Sequence, residues 1–168
     1  MGDVLAQEGS SRAIVEDIHA TSGQALFGFA RRLGLRDEEA EDVVQEALLR
    51  LWRQLAAGHS IEAPIAWTFR AAYRLAMDRH RARRRWLALL QRSRPSRGEH
   101  EAVTDDLVAV WAEVDALPAR QRAVLYLRYR ADLTFDAIGG VLGIDAGSAR
   151  SNATRGIATI RRRLGGED

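Results

Sequence analysis

In the stretch AEDVVQEALLRLWRQL, residues 40–55, the apolar side chains Ala40, Val43, Val44, Ala47, Leu48, Leu51 and Leu55 return at intervals of three and four. Those intervals follow the 3.6-residue turn of an α-helix and put all seven on one face, whereas a half-buried strand needs strict alternation. The same spacing recurs along most of the chain and strand signals are nearly absent, so the sequence predicts an all-α fold.

Turn and cap residues divide this helical material. A first helix is predicted from about Arg12 to Leu33, with Gly23 as a point of breakage and Gly34 as its stop. A second begins at Asp37, read as its N-cap, carries acids in its first turn and ends before Gly58. A third opens at Pro64, a good first-turn residue, and runs to about Leu90. Across SRPSRGEHEAVT, Ser93 to Thr104, the apolar period is lost and Pro, Gly and Ser gather, which marks a domain boundary. Beyond it a helix is predicted from about Asp105 to Ala116, and Pro118 opens another through Arg130. Thr134 caps a short helix that stops at Gly143. After IDAG a last helix carries Ala149, Ala153, Ile157, Ile160 and Leu164 on one side and ends at Gly165-Gly166. The predicted architecture is two small helical domains, residues 10–92 and 105–165, joined by a flexible linker at 93–104. At 168 residues and 46% apolar content the chain has material for a core in each. Short helix, Gly-containing turn and longer helix, in that order, is helix-turn-helix grammar.

Several function classes are excluded. The chain has no cysteine, so disulfides, thiolate nucleophiles and cysteine zinc sites are absent. His19, His59, His80 and His100 never fall at metal-ligand spacing, and neither a Gly-rich phosphate loop nor a GxSxG elbow occurs. No catalytic constellation, metal site or cofactor is expected, and the chain does not read as an enzyme. No run approaches the roughly 20 apolar residues that span a bilayer, and MGDVLAQEGSSR has neither basic flank nor apolar leader core. The expectation is a soluble, cytoplasmic protein without membrane insertion.

Charge is segregated although the formal net charge is only +2. Residues 37–46 hold six acids and no base, while residues 70–97 hold ten arginines against the single acid Asp78. All 25 basic residues are arginine, which suits bidentate phosphate and guanine contacts and equally fits a G+C-rich genome with few lysine codons.

Three surfaces stand out. On the second helix Glu38, Asp42 and Glu46 line up away from the apolar stripe, with Gln45 beside them. Like charges at i,i+4 cost roughly 0.2–0.5 kcal/mol a pair, so the face suggests a basic partner, although a solvated helix face is the plainer reading. On the third helix Ile65, Phe69, Ala72, Tyr73 and Ala76 form the core stripe, while Trp67, Arg70, Arg74, Arg81 and Arg85 fall on the far side with Arg84 nearby. Arginines meet phosphates and an exposed aromatic plane stacks on an unpaired base, as a single-stranded nucleic-acid surface requires. The plainer reading packs Trp67 into a domain corner. Arg79 and Arg83 fall where the core residues had been. On the last helix Ser148, Ser151, Thr154 and Arg155, flanked by Arg150 and Asn152, are placed to read major-groove edges and phosphates, or form an ordinary polar face. Arg161, Arg162 and Arg163 add electrostatic affinity.

Taken in order, these segments resemble one family. AEDVVQEALLRLWR, Ala40 to Arg53, resembles the region 2.2 helix of bacterial RNA polymerase sigma factors, particularly the extracytoplasmic-function (ECF) group. PIAWTFRAAYRLAMDRHRARRR, Pro64 to Arg85, is similar to the following regions 2.3 and 2.4. DALPARQRAVLYLRYRADLTFDAIGGVLGIDAGSARSNATRGIATIRRRL, Asp115 to Leu164, is similar to region 4 with its helix-turn-helix. The resemblance runs from about Ala25 to Leu164 and implies a sigma factor that directs promoter-specific initiation by recognising minus-ten and minus-thirty-five elements. It implies core polymerase contact through Asp42, Gln45 and Glu46 on the β′ coiled coil, with region 4 on the β flap. The melted non-template strand would be handled by the loop Ala56 to Ala63 and the face of Trp67, Arg70 and Arg74, and duplex promoter DNA by region 4. Duplex opening needs no covalent chemistry. An anti-sigma factor that occludes both domains is a further partner the resemblance implies.

The chain departs from the family at two DNA-facing places. Arg74 stands in AAYRLAMD where relatives commonly carry Asn, and the helix-turn-helix reads ARSNATRG where they often have VKSRLHRA. The family's base preferences therefore do not transfer. Two other functions compete. A stand-alone helix-turn-helix regulator explains the last helix but leaves EDVVQE and the Trp67 stripe without a task. A module that only mimics a sigma factor to sequester a partner has no need of intact basic surfaces.

Overall fold

A computed structural model describes residues 2–90 and 106–164, with side chains from 9 to 86 and from 110 to 164. The described residues form seven helices and no strand. They are α1 (Gly2–Arg32), α2 (Asp37–Ala56), α3 (Pro64–Leu90), α4 (Asp106–Asp115), α5 (Ala119–Tyr129), α6 (Phe135–Leu142) and α7 (Ala146–Leu164). The predicted linker Ser93 to Thr104, the predicted start at Asp105 and the stop at Gly165-Gly166 lie outside the described residues.

Helix α1 starts earlier than the periodicity predicts and passes through Gly23 without a break. One interior glycine costs a helix about 1 kcal/mol relative to alanine. Ile18, Leu26, Phe29 and Ala30 are all buried around it, and their packing outweighs that cost. All seven apolar residues of the α2 stripe are buried, as their spacing predicts. The cap of α2 differs: Arg36, not Asp37, is the N-cap, and its backbone N–H donates to the Glu39 carboxylate at 2.9 Å. Asp37 instead pairs with Arg31 at 2.6 Å.

The helix-turn-helix forms as the caps predict. Thr134 Oγ1 accepts the Ala137 N–H at 3.2 Å, and Gly143 ends α6 in the left-handed region at φ 68°. A Cβ on Gly139 would stand 2.6 Å from the Ile144 carbonyl oxygen, so only glycine lets the turn fold back so closely. Asp145 then caps α7 by accepting the Ser148 N–H at 2.7 Å.

Helices α1, α2 and α3 pack together, as do α4 to α7, and the two groups meet through α1 with α5 and α3 with α6. The patterning predicts a core in each domain; the buried side chains instead form one continuous cluster across both. An aromatic ladder makes the join. Phe69 meets Phe29 edge-on at 5.6 Å, Phe29 stacks on Tyr126 at 6.2 Å, and Tyr126 meets Trp111 edge-on at 5.5 Å. Burying an aromatic side chain contributes about 1.5–3 kcal/mol, so the join is a substantial part of the core.

Candidate nucleic-acid interface

The acidic face of α2 forms because the apolar stripe turns the opposite side outward. Glu38, Asp42 and Gln45 are exposed and Glu46 is half-buried. Asp42 lies 3.4 Å from Arg79 and Glu46 lies 2.8 Å from Arg50. The Arg50 hydrogen bond holds the Glu46 carboxyl below its usual pKa. Exposed pairs of this kind contribute only about 0–1 kcal/mol, so a stronger basic partner can displace them.

The two charged surfaces that the sequence separates touch in three dimensions. Arg79 donates to the Glu39 carbonyl as well as approaching Asp42, and the charge of Arg83 helps lower the Glu39 pKa. These are the two arginines that fall off the outward stripe of α3. Arg79 ties α3 to α2, while Arg83 is exposed and acts on Glu39 only through its charge.

The outward stripe itself divides. Arg74, Arg81, Arg84 and Arg85 are exposed, with Arg81 paired to Asp78. Trp67 and Arg70 are half-buried, which corrects the expectation of an exposed tryptophan. A single apolar stripe predicts one buried side of α3, but α6 packs on the helix as well, and Thr68 and Ala71 are buried besides the predicted Phe69, Ala72 and Ala76. Ile65, placed in the core stripe, is 38% exposed. Trp67 and Arg70 line a cleft of about 540 Å³ shared with His59 from the α2–α3 loop and with Ala137, Gly140 and Val141 of α6.

On α7, Arg150, Ser151, Thr154 and Arg155 are exposed, whereas Ser148 and Asn152 are half-buried and hold the helix start together. The Ser148 hydroxyl donates to the Asp145 carboxylate at 2.5 Å, and Asn152 Nδ2 donates to the Ser148 carbonyl at 2.8 Å. Thr154 Oγ1 donates to the Arg150 carbonyl at 3.1 Å and Arg155 Nε to the Ser151 carbonyl at 3.3 Å. The Arg150 guanidinium lies 5.3 Å from the Phe135 ring centroid, and Arg128 lies 5.7 Å from the same ring. Neither Arg128 nor Phe135 stands out in sequence, because their meeting depends on the α5–α6 corner. In the predicted apolar side of α7, Ala149, Ala153 and Ile160 are buried, but Leu164 is 53% exposed.

The sequence also leaves unmarked the joint between the two helix groups. Arg32 Nε lies 2.8 Å from Asp115 Oδ1, with side chains 18% and 21% exposed. The same guanidinium sits 4.7 Å from the Tyr126 ring centroid and 5.4 Å from that of Trp111. Burial pushes the Tyr126 hydroxyl pKa up. A Cβ on Gly28 would run into that hydroxyl. Among the described residues there is no cluster of side chains suited to a metal ion, and no helix long and apolar enough to cross a membrane.

Comparison with known proteins agrees with this arrangement. Residues 19–86 match the sigma-70 region 2 family and residues 107–160 match the sigma-70 region 4 family. The probable RNA polymerase sigma factor RfaY of Xanthomonas campestris pv. campestris is 30% identical over 135 residues, 74% of this chain. The chain spans about a third, 34%, of that relative's length. The ECF RNA polymerase sigma factor SigL of Mycobacterium tuberculosis is 28% identical over 172 residues, covering 98% of this chain and 96% of the relative. The sigma factor RpoE of Bartonella quintana, solved in complex with the anti-sigma factor NepR, has the same fold at a TM-score of 0.72 and 21% identity, over 91% of this chain and 98% of that one. This chain belongs to the bacterial RNA polymerase sigma factors of the sigma-70 family, in the ECF group. A stand-alone helix-turn-helix regulator is not favoured, because region 2 is present as well.

Proposed function

We propose that the chain docks on core RNA polymerase through Asp42, Gln45 and Glu46, opens the minus-ten element with α3, and reads the minus-thirty-five element with α7. The observation that carries this reading is the order of the two family matches, region 2 over the acidic and Trp67-bearing helices and region 4 over the helix-turn-helix. Opening is favoured when the exposed strand binds better than the duplex, and stacking on an aromatic side chain is worth roughly 1–3 kcal/mol per base. Trp67 supplies that plane, while Arg70 and Arg74 beside it, with Arg81, Arg84 and Arg85 further along, supply phosphate contacts. On α7 the exposed Arg150, Ser151, Thr154 and Arg155 face the duplex, while Ser148 and Asn152 act by holding the helix start. Nucleotidyl transfer belongs to the polymerase, and the place of action is the cytoplasm. The β′ coiled coil and the β flap are the polymerase elements engaged. An anti-sigma factor is proposed as a further partner, since RpoE of Bartonella quintana is held by one.

Core enzyme with this chain, run on a promoter library, gives promoter-dependent transcripts; their absence rejects the function. Asp42→Arg with Glu46→Arg lowers affinity for core polymerase by about tenfold or more without changing the helical content, because like charges then face a basic partner. Unchanged affinity rejects the docking face. Trp67→Ala with Arg74→Ala impairs promoter opening, read with a fluorescent base in the minus-ten element, more than it impairs initial duplex binding. Equal losses in the two assays count against the melting role.

A further inference from the structure

We propose that Phe135 is a positioning residue for the reading of duplex DNA by α7: its ring holds the Arg150 guanidinium in place, so that Arg150 meets the DNA already ordered. The proposal rests on the duplex-reading role of α7 and adds to it the side chain through which one of its arginines acts.

Three observations carry it. First, Arg150 is exposed on α7, yet its guanidinium lies over the ring of Phe135, the first residue of α6, at 5.3 Å from the centroid. Attraction to a ring face uses the charge of a guanidinium and leaves its N–H donors free, whereas a carboxylate or carbonyl partner occupies them. Among the described residues no hydrogen bond or ion pair takes the Arg150 donors. Its neighbours on the helix differ: Arg155 Nε is bonded to the Ser151 carbonyl and Arg163 is paired with Glu113. Second, the ring itself is fixed. Phe135 is half-buried, packs against the core and directly follows the Thr134 cap, so it is a firm support for a long side chain. Third, the same ring carries a second cation. Arg128 lies 5.7 Å from its centroid, donates Nη1 to the Leu133 carbonyl at 3.2 Å and stands 3.5 Å from Asp132, whose side chain is 98% exposed. Two cations on one ring, with one solvated carboxylate between them, leave a positive charge that attracts a phosphate backbone. Arg128, Phe135 and Arg150 all fall within the residues matched to region 4, so the arrangement belongs to the helix-turn-helix itself.

An arginine free in solvent loses rotamer freedom when it binds; one already held loses less, and the difference appears as affinity, here about fivefold. Holoenzyme assembled from core polymerase and the full chain is titrated with a fluorescein-labelled duplex of the strongest promoter from the library, at low temperature where the duplex stays closed. Phe135→Leu removes the ring but keeps apolar bulk, an exchange that cores tolerate, and is expected to weaken promoter binding about fivefold. Phe135→Tyr keeps the ring and is expected to stay within about twofold of the unchanged chain. Arg150→Ala is expected to weaken binding at least as much as Phe135→Leu, and Phe135→Leu added to it to cost nothing more, because the ring acts only through that guanidinium. In the free chain the Arg150 Nε–H proton resonance is expected upfield of that of Arg155 through the ring current, and to lose this shift in Phe135→Leu. An unshifted Arg150 resonance in the unchanged chain overturns the contact, whether or not any variant folds. If Phe135→Leu costs as much in the Arg150→Ala background as alone, the ring acts independently of Arg150 and the positioning is overturned. If Arg150→Ala lowers promoter affinity and Phe135→Leu does not, the positioning fails while the reading by α7 stands. If Arg150→Ala leaves promoter affinity unchanged, the reading by Arg150 fails and the positioning with it.

Discussion

Two carboxylates hold helix starts, and both titrate below their ordinary range. The Arg36 backbone N–H lowers the Glu39 pKa, with burial opposing it, and the Ser148 hydroxyl and backbone N–H lower that of Asp145. A depressed folded-state pKa contributes stability that is present above the unfolded value, roughly 4 for either residue, and is lost as pH falls through the folded value. The urea midpoint is therefore expected to fall between about pH 5 and pH 3, and Glu39→Gln with Asp145→Asn should flatten that fall; an identical fall in the double variant would show that these carboxylates are not its source. Asp145 was legible in principle, since Asp is among the residues preferred at a helix N-cap. Arg36 was not, because Asp37 has the better capping side chain, which in the structure pairs with Arg31 instead.

Among elements, the helix-turn-helix was the most readable. Thr134 and Gly143 are local signals whose physics needs no distant partner. Gly139→Ala is expected to destabilise the chain by about 1–3 kcal/mol, since its Cβ meets backbone that cannot step aside, and to weaken duplex binding by α7 more than single-stranded binding by α3. Thermal unfolding and fluorescence anisotropy on both DNA forms check this; an unshifted melting temperature would mean the turn relaxes freely. Helix α3 was half-readable. Its period identified Phe69, Ala72 and Ala76, but Thr68 and Ala71 looked neutral, since the helix that helps enclose this part of α3 lies more than sixty residues further along the chain.

For the molecule as a whole, the order of acidic helix, basic helix and helix-turn-helix was visible in the sequence, and the packing of one half on the other was not. Gly28, Arg32, Asp115 and Tyr126 carry no periodic or motif signal, and they acquire meaning only when α1 meets α5. The patterning predicts two cores because periodicity reports which face is apolar, not which neighbour covers it. Helix α3 crosses the molecule without an internal glycine or proline to bend it. Between Trp67 and Arg85 it rises about 27 Å, close to eight base pairs of duplex at 3.4 Å each. If α3 handles DNA as proposed, it is a ruler: the distance from an opened base at Trp67 to phosphates held at Arg85 is set by the length of one rod, and promoters would have to match that measure whatever their bases.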